Sequence, residues 1–354
     1  MRQFGCSLSM PELARSLDYT LAGLALFDEI RARFIDDTAF SWVSSPAAPI
    51  SDRRSRRVGL AWAFIGVLMF SFSVPLTKEA VGGFDPFLTA TGRAVIAGVL
   101  AAVLLRLRRV PVPERRHWWP LFFTMLGAVF GWPILIALAL RHTTAVHVAV
   151  IAAFMPLATA VIAVLHAHER ASWQFWVAAS AGTGALVAFA ATQGGASSGN
   201  VEADLLIVGA VFSSAWCYVL GASVTREVPG WQVISWVVVS ALPLTIPASI
   251  VLWLQTSDHY SPNAGAWTSL ILLGVSSMYV GFFAWYRGLA LAGIAHGGQV
   301  QQLQALLTLG WSALLLSERI TTSTILAALA VIAAVLWAQR GRTSANPSAG
   351  IEPQ

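Results

Sequence analysis

After residue 57 the chain is dominated by apolar stretches of about twenty residues, the length needed to cross a bilayer. Ten stand out, at roughly 59–77, 86–105, 119–140, 145–165, 172–192, 204–225, 231–253, 267–291, 295–316 and 322–338. They fall into two sets of five. Five is odd, so a second set that follows the first in one chain must enter the membrane upside down relative to it. The pattern predicts an all-α integral membrane protein with ten transmembrane helices in two inverted five-helix repeats, an architecture used by secondary transporters.

Composition agrees with a bilayer as solvent. Of 354 residues 56% are hydrophobic and 11% charged, whereas a soluble domain carries about 25% charged residues. Trp118, Trp119, Trp173, Trp176, Trp231, Trp253, Trp267 and Trp337 fall where an apolar run begins or ends, as expected of an interfacial aromatic belt. Trp132 and Trp216 fall mid-span and need another reason. The net charge of +5 does not indicate nucleic acid, because the Arg residues cluster in short loops between apolar runs. Cys6 and Cys217 suggest neither a disulfide nor a metal site. His166, His168 and Glu169 resemble a metal cluster, but the two His lie on different helical faces and no third partner is evident. Neither a metal nor a cofactor is expected.

Basic loops orient a membrane protein with their charges in the cytoplasm. With the N-terminus inside, that side holds Arg53, Arg54, Arg56, Arg57, Arg106, Arg108, Arg109, Arg115, Arg116, Arg170, Arg226, Arg287, Arg340 and Arg342; the other holds Lys78, Arg141 and Arg319. Both termini are therefore expected in the cytoplasm, and the protein in the cell membrane (the inner membrane of a bacterium). Residues 1–57 read as a cytoplasmic extension. Leu13, Leu17, Leu21 and Leu24 give part of it an amphipathic stripe, although a poorly ordered extension fits it better. Residues 58–192 and 203–340 form the two repeats, and 341–354 a disordered tail.

The repeat is visible in the residues. The first half reads ALAL (137–140), a helix, HAHER (166–170) and another helix; the second reads GLAL (288–291), a helix, LSER (316–319) and a final helix. Glu169-Arg170 and Glu318-Arg319 thus occupy equivalent turns. Arg93 lies in the second span within TATGRAVIAG, and Phe154, Met155 and Pro156 form a step in the fourth. In these features the chain resembles the EamA-type transporters of the drug/metabolite transporter superfamily. The resemblance covers about 58–340. It implies a carrier of a small metabolite, an amino acid or related compound, with export common in the family. Where the family has a Glu-Pro-like step this chain has Met155-Pro156, and the second half has Gln304-Ala305. A coupling role for an acidic residue there is lost.

Arg93 is the candidate with the clearest physical argument. A charge deep in a span faces the bundle interior or a watery cavity. It attracts a substrate carboxylate or phosphate, or it is tied to backbone carbonyls of a broken neighbouring helix; both readings stand. The start of the ninth span is the most polar stretch, His296 to Gln304. Gln299 and Gln302 share one face, and Gln301, Gln304 and Thr308 an adjacent one. These amides line a solute path or bond helices together, and their number favours the path. Trp216, Tyr218, Tyr279, Trp285 and Tyr286 offer rings with polar handles to an apolar or aromatic substrate, with ordinary packing the blander explanation. His147, at the start of the fourth span, is a candidate for proton coupling or a satisfied residue of a helix's first turn. Gly127 with Gly131, and Gly293 with Gly297, mark close helix packing.

No Asp or Glu falls inside nine of the ten spans, and Asp204 sits at the lip of the other. This favours facilitated exchange, or coupling through His or the substrate's own charge, over a carboxylate relay. Two other readings remain open. An intramembrane enzyme, such as a lipid-linked transferase, needs a catalytic constellation, and no paired acids, Ser–His pair or metal set is apparent. A membrane scaffold needs no polar cavity between the halves. The expected partners are a small-molecule substrate and the lipid bilayer, with room for a homodimer and none for nucleic acid.

Overall fold

The computed structural model describes residues 53–167, 173–174, 176–178, 180–182, 184–185, 201–225, 227–292, 300–301 and 303–343. All regular structure among them is helical. In chain order the helices are α1 (Arg53–Ser71), α2 (Ser73–Gly83), α3 (Pro86–Leu107), α4 (Trp118–Met125), α5 (Trp132–Ala139), α6 (Ala145–Ala152), α7 (Met155–Ala167), α8 (Val201–Val224), α9 (Gly230–Thr256), α10 (Ala264–Leu272), α11 (Gly281–Ala292), α12 (Leu303–Leu316) and α13 (Thr322–Thr343). Among the described residues six helical stretches are long and apolar enough to cross a membrane: Arg57–Gly83, Pro86–Leu107, Arg115–Ala139, Val201–Val224, Gly230–Thr256 and Ala264–Ala292. Shorter apolar helices cover Ala145–Thr159, Leu303–Leu316 and Thr322–Ala334. Most of the predicted fifth span lies outside the described residues.

Several spans are broken internally. The first turns at Phe72, between α1 and α2, and runs on to Gly83, six residues beyond the predicted end. Glu79 is thereby drawn into a helix, on an exposed face. The fourth breaks after Ala152, just before Met155 and Pro156 start α7; Pro156 cannot continue an α-helical ladder. The third and eighth spans each wind into a π-helical segment midway, at Leu126–Gly131 and Leu273–Val280. Pro133 follows the first of these. Such widened turns shift side chains off the α-helical register and free backbone carbonyls. Pro243 and Pro247, by contrast, sit inside an unbroken α9.

Among the extensive helix pairings are α1 on α11, α8 on α4 and α5, α3 on α9, and α6 on α12. Lipid offers no hydrophobic drive for such pairing, so close backbone approach through small residues does the joining. A Cβ on Gly66 of α1 would stand 2.8 Å from the Trp285 backbone nitrogen, and one on Gly98 of α3 2.5 Å from Leu242. Between the third and sixth spans a Cβ on Gly127 would meet the Ser213 carbonyl oxygen at 2.5 Å, and one on Gly131 would collide with the Ser213 side chain. The Gly127–Gly131 pattern is a packing seam; Gly293 and Gly297 lie outside the described residues.

Much of the outer surface is apolar. Leu244, Ile250, Leu254, Leu314 and Leu326 are exposed, a coat that in water would aggregate and that a bilayer solvates. Trp118, Trp119, Trp253 and Trp267 are exposed near helix ends, as expected of a belt. Trp231 differs: it is 4% exposed and packs with Leu105 and Phe283. A ring at the first turn of a helix is buried when a neighbouring helix overlaps that turn, which position in a span does not reveal.

Candidate functional site

The breaks described above converge on one cavity. Its walls come from α1 and α2 (Phe70, Ser73), α3 (Arg93), the third span (Ala128, Trp132), α7 (Met155), α8 (Ser214, Tyr218), the eighth span (Ser277, Met278, Phe282) and α12 (Gln304). The empty space between these side chains, counting its open mouth, comes to about 420 Å³, of which about 30 Å³ admits the centre of a water molecule. Pro156 starts α7 at the level of Met155, and the second π-helical segment turns Ser277 and Met278 inward. Helix irregularity at membrane depth is tolerated where it lines a cavity.

Among the described residues Arg93 is the one charged side chain in this wall. It is 4% exposed, and its Nη2 donates to Ser277 Oγ at 2.6 Å. Ser277 in turn donates to the Leu273 carbonyl at 3.2 Å, within the π-helical segment. The Nε of Arg93 finds no partner. Neither sequence-based reading anticipated this arrangement: the guanidinium is held by a hydroxyl of the opposite half, with one donor unmet. A lone serine in an apolar run carries no such signal; the only hint was its place in a Ser-Ser pair, 276–277.

A second cavity adjoins the first through the shared Met155 and Gln304, and Gln301, Ala149, Ala152, Val74 and Thr308 also line it. Gln301, Gln304 and Thr308 therefore present one polar face of the ninth span to a cavity. Gln301 is 4% exposed, and its Nε2 has no partner. Thr308 donates to the Ser71 carbonyl at 3.0 Å, so the same face also ties α12 to the break after α1. Gln299 and Gln302 lie outside the described residues, as do the side chains of His166, His168 and Glu169.

The aromatic candidates separate. Tyr218 lines the central cavity. Trp285 and Tyr286 are buried behind it, with Trp285 set edge-on to Phe70 and tilted against Tyr218. Tyr279 is buried in a hydrogen bond with Ser235 of α9 at 2.9 Å and packs on Phe283. Trp216 is 44% exposed and stands on the outer face of α8, away from both cavities. Helical periodicity explains the split, since Tyr218 is two residues from Trp216 and so points the other way.

Beyond the second cavity the bundle is clasped. The Glu318 carboxylate accepts from the backbone N–H of Ala145 (3.0 Å) and of Val146 (2.8 Å), the first turn of α6. His147 Nε2 lies 2.6 Å from Asp204 Oδ1 at the start of α8, while its own N–H donates to Thr144 Oγ1, the helix cap. Lys78 donates to the carbonyls of Leu140 (2.6 Å) and Thr143 (2.9 Å), at the loop just before α6. Ser317, in the left-handed conformation at φ 53°, turns the chain after α12 and aims Glu318 back. At the far end of α4 and α8, Arg116 and His117 meet Glu227 at 2.7 and 3.3 Å, in contacts that are more exposed.

Comparison with known proteins bears on what such an arrangement is for. The chain is 41% identical over 278 residues to "uncharacterized transporter YdeK" of Bacillus subtilis (strain 168), covering 78% of this chain and 95% of that protein. A solved structure, described only as the crystal structure of a protein, matches 79% of this chain and 97% of its own with a TM-score of 0.57 at 16% identity, a likeness of fold alone. The EamA-like transporter family model matches twice, over residues 57–190 and 201–339. Two family matches in tandem, on a multi-pass helical membrane bundle with a polar cavity at its centre, leave no doubt of kinship: the chain belongs to the EamA-like transporter family.

Proposed function

We propose that the protein carries a small metabolite, an amino acid or a related zwitterion or anion, out of the cell by alternating access between two inverted five-helix repeats. The observation that carries this reading is the buried Arg93, whose side chain lines the central cavity and whose Nε is unmet. A buried lone charge is costly, so a structure that keeps one in a cavity wall has a use for it. The pairing of spans supports the repeat. The first packs on the eighth and the sixth on the third, while the second packs on the seventh and the fourth on the ninth. Advancing every span by five turns the first pairing into its counterpart and maps the other two onto themselves, as a two-fold relation requires. The third and eighth spans are also the two that carry π-helical segments. In this scheme ten spans cross the cell membrane, both termini lie in the cytoplasm, and the clasp at Glu318 faces outside.

The test is flux in proteoliposomes. Arg93→Ala is expected to abolish counterflow of the transported solute while the protein still inserts and elutes as a folded species. Wild-type flux in that variant would remove Arg93 from the site.

A further inference from the structure

We infer that the central site takes a monocarboxylate with an apolar body in preference to a zwitterion, and that each passage moves one net negative charge across the bilayer. This rests on the carrier reading above and narrows its substrate.

The first argument is charge balance. Arg93 brings one positive charge into the cavity wall, and every other described lining residue is neutral. The residues of the ninth span that lie outside the described set, 293–299 and 302, include no Asp or Glu, so they add no counter-charge. Glu79 is on an exposed face, and Asp204 is engaged by His147. A monoanion cancels the buried charge. A zwitterion leaves it standing and adds an ammonium whose three donors find no carboxylate to meet them. A dianion overshoots and leaves a net negative charge in the same cavity. Of the three, one negative charge is the best match to the centre.

The second argument is the shape of the recognition. Ser277 takes Nη2 of the guanidinium, and the unmet Nε lies on the adjoining edge. A planar carboxylate complements such a fork better than a point acceptor does. The rest of the wall holds an aromatic and thioether cluster, Phe70, Trp132, Phe282, Met155 and Met278, beside the polar groups of Ser73, Ser214, Tyr218 and Gln304. Met side chains adapt to irregular apolar shapes, and the rings offer faces and edges against which an aryl or branched-alkyl body can pack.

The third argument is energetic. With a single compensating cation and no titratable carboxylate in the cavity, the charge carried per cycle is that of the substrate. An inside-negative potential then drives a monoanion outward, by about tenfold in concentration ratio for each ~60 mV. Outward transport needs no coupling ion.

The test uses the full-length protein in lipid nanodiscs and proteoliposomes with probes that share one ring: phenylacetate and 3-phenylpropionate as anions, phenylalanine as zwitterion, phenylacetamide as neutral control. Binding is read by thermal stabilisation and by tryptophan fluorescence, since Trp132 lines the cavity. The anions are expected to bind at least tenfold more tightly than phenylalanine or the amide. Arg93→Gln should erase that preference, and Arg93→Lys, which keeps the charge, should retain part of it. In proteoliposomes poised with potassium and valinomycin, phenylacetate should accumulate on the positive side by about tenfold for each ~60 mV. Equal or tighter binding of phenylalanine, an anion preference that survives in Arg93→Gln, or accumulation indifferent to potential would each overturn the inference. Flux of phenylalanine without phenylacetate refutes the anion site and leaves the carrier reading standing. Anion binding without flux of any probe does the reverse.

Discussion

Glu318 offers the sharpest test of the proposed alternating access. Its carboxylate accepts from Ala145 N (3.0 Å) and Val146 N (2.8 Å), joining the turn after α12 to the first turn of α6. A hydrogen bond to a charged group contributes about 1.5–3 kcal/mol, so two of them set an upper bound of ~3–6 kcal/mol. The net value is smaller, because on release water satisfies both the amides and the carboxylate. Loss of a helix cap costs about 0.5–2 kcal/mol, and a charge at the positive end of a helix about 0.3–1 kcal/mol. Together these put Glu318→Ala at about 2 kcal/mol. If the clasp exists only when this end is closed, its loss shifts the closed–open balance by ~30-fold. Glu318→Gln keeps one acceptor oxygen and should shift it by roughly half that free energy.

The assay places a cysteine at Ala152, which lines the second cavity beneath the clasp, in a background with Cys6→Ser and Cys217→Ala. Labelling by a membrane-impermeant thiol reagent should quicken by up to ~30-fold in Glu318→Ala. Should the melting temperature fall while labelling stays within twofold of the parent, Glu318 is a helix cap and nothing more, and the clasp plays no part in access.

Two further perturbations separate packing from local backbone preference. Gly66→Ala places a Cβ 2.8 Å from a backbone nitrogen and 3.0 Å from the Gly281 carbonyl, neither of which yields cheaply; a loss of about 1–3 kcal/mol is expected. Gly310→Ala meets nothing within 4 Å and should be neutral or stabilise α12 by up to about 1 kcal/mol. Thermal unfolding in detergent ranks the two, and a Gly66 variant as stable as Gly310→Ala would refute the seam. Ser317→Gly relieves a left-handed residue at φ 53° and should stabilise by about 1 kcal/mol; a lower melting temperature would mean that the Ser317 side chain is itself needed at that turn.

The helical membrane-spanning character of the chain was legible in its residues, and so was the deep placement of Arg93. Both follow from local, one-dimensional physics: a bilayer demands about twenty apolar residues per crossing, and a charge among them must turn inward. The Gln301–Gln304–Thr308 face was legible for the same reason, since helical spacing alone decides which residues share a side. What faces that side is a different matter. That Ser277 holds Arg93, that Tyr218 reaches the cavity while Trp216 stands outside, and that Glu318 caps a helix more than 170 residues earlier are all consequences of which helix lies against which. Span lengths do not encode those neighbours. They are selected by glycine seams whose partners are distant in the chain, and by helix breaks that rotate one side chain inward and its neighbour out. Composition and periodicity thus determined the solvent this protein lives in and the faces its helices bury, whereas only the tertiary packing decided which donor stands unmet beside the central cavity.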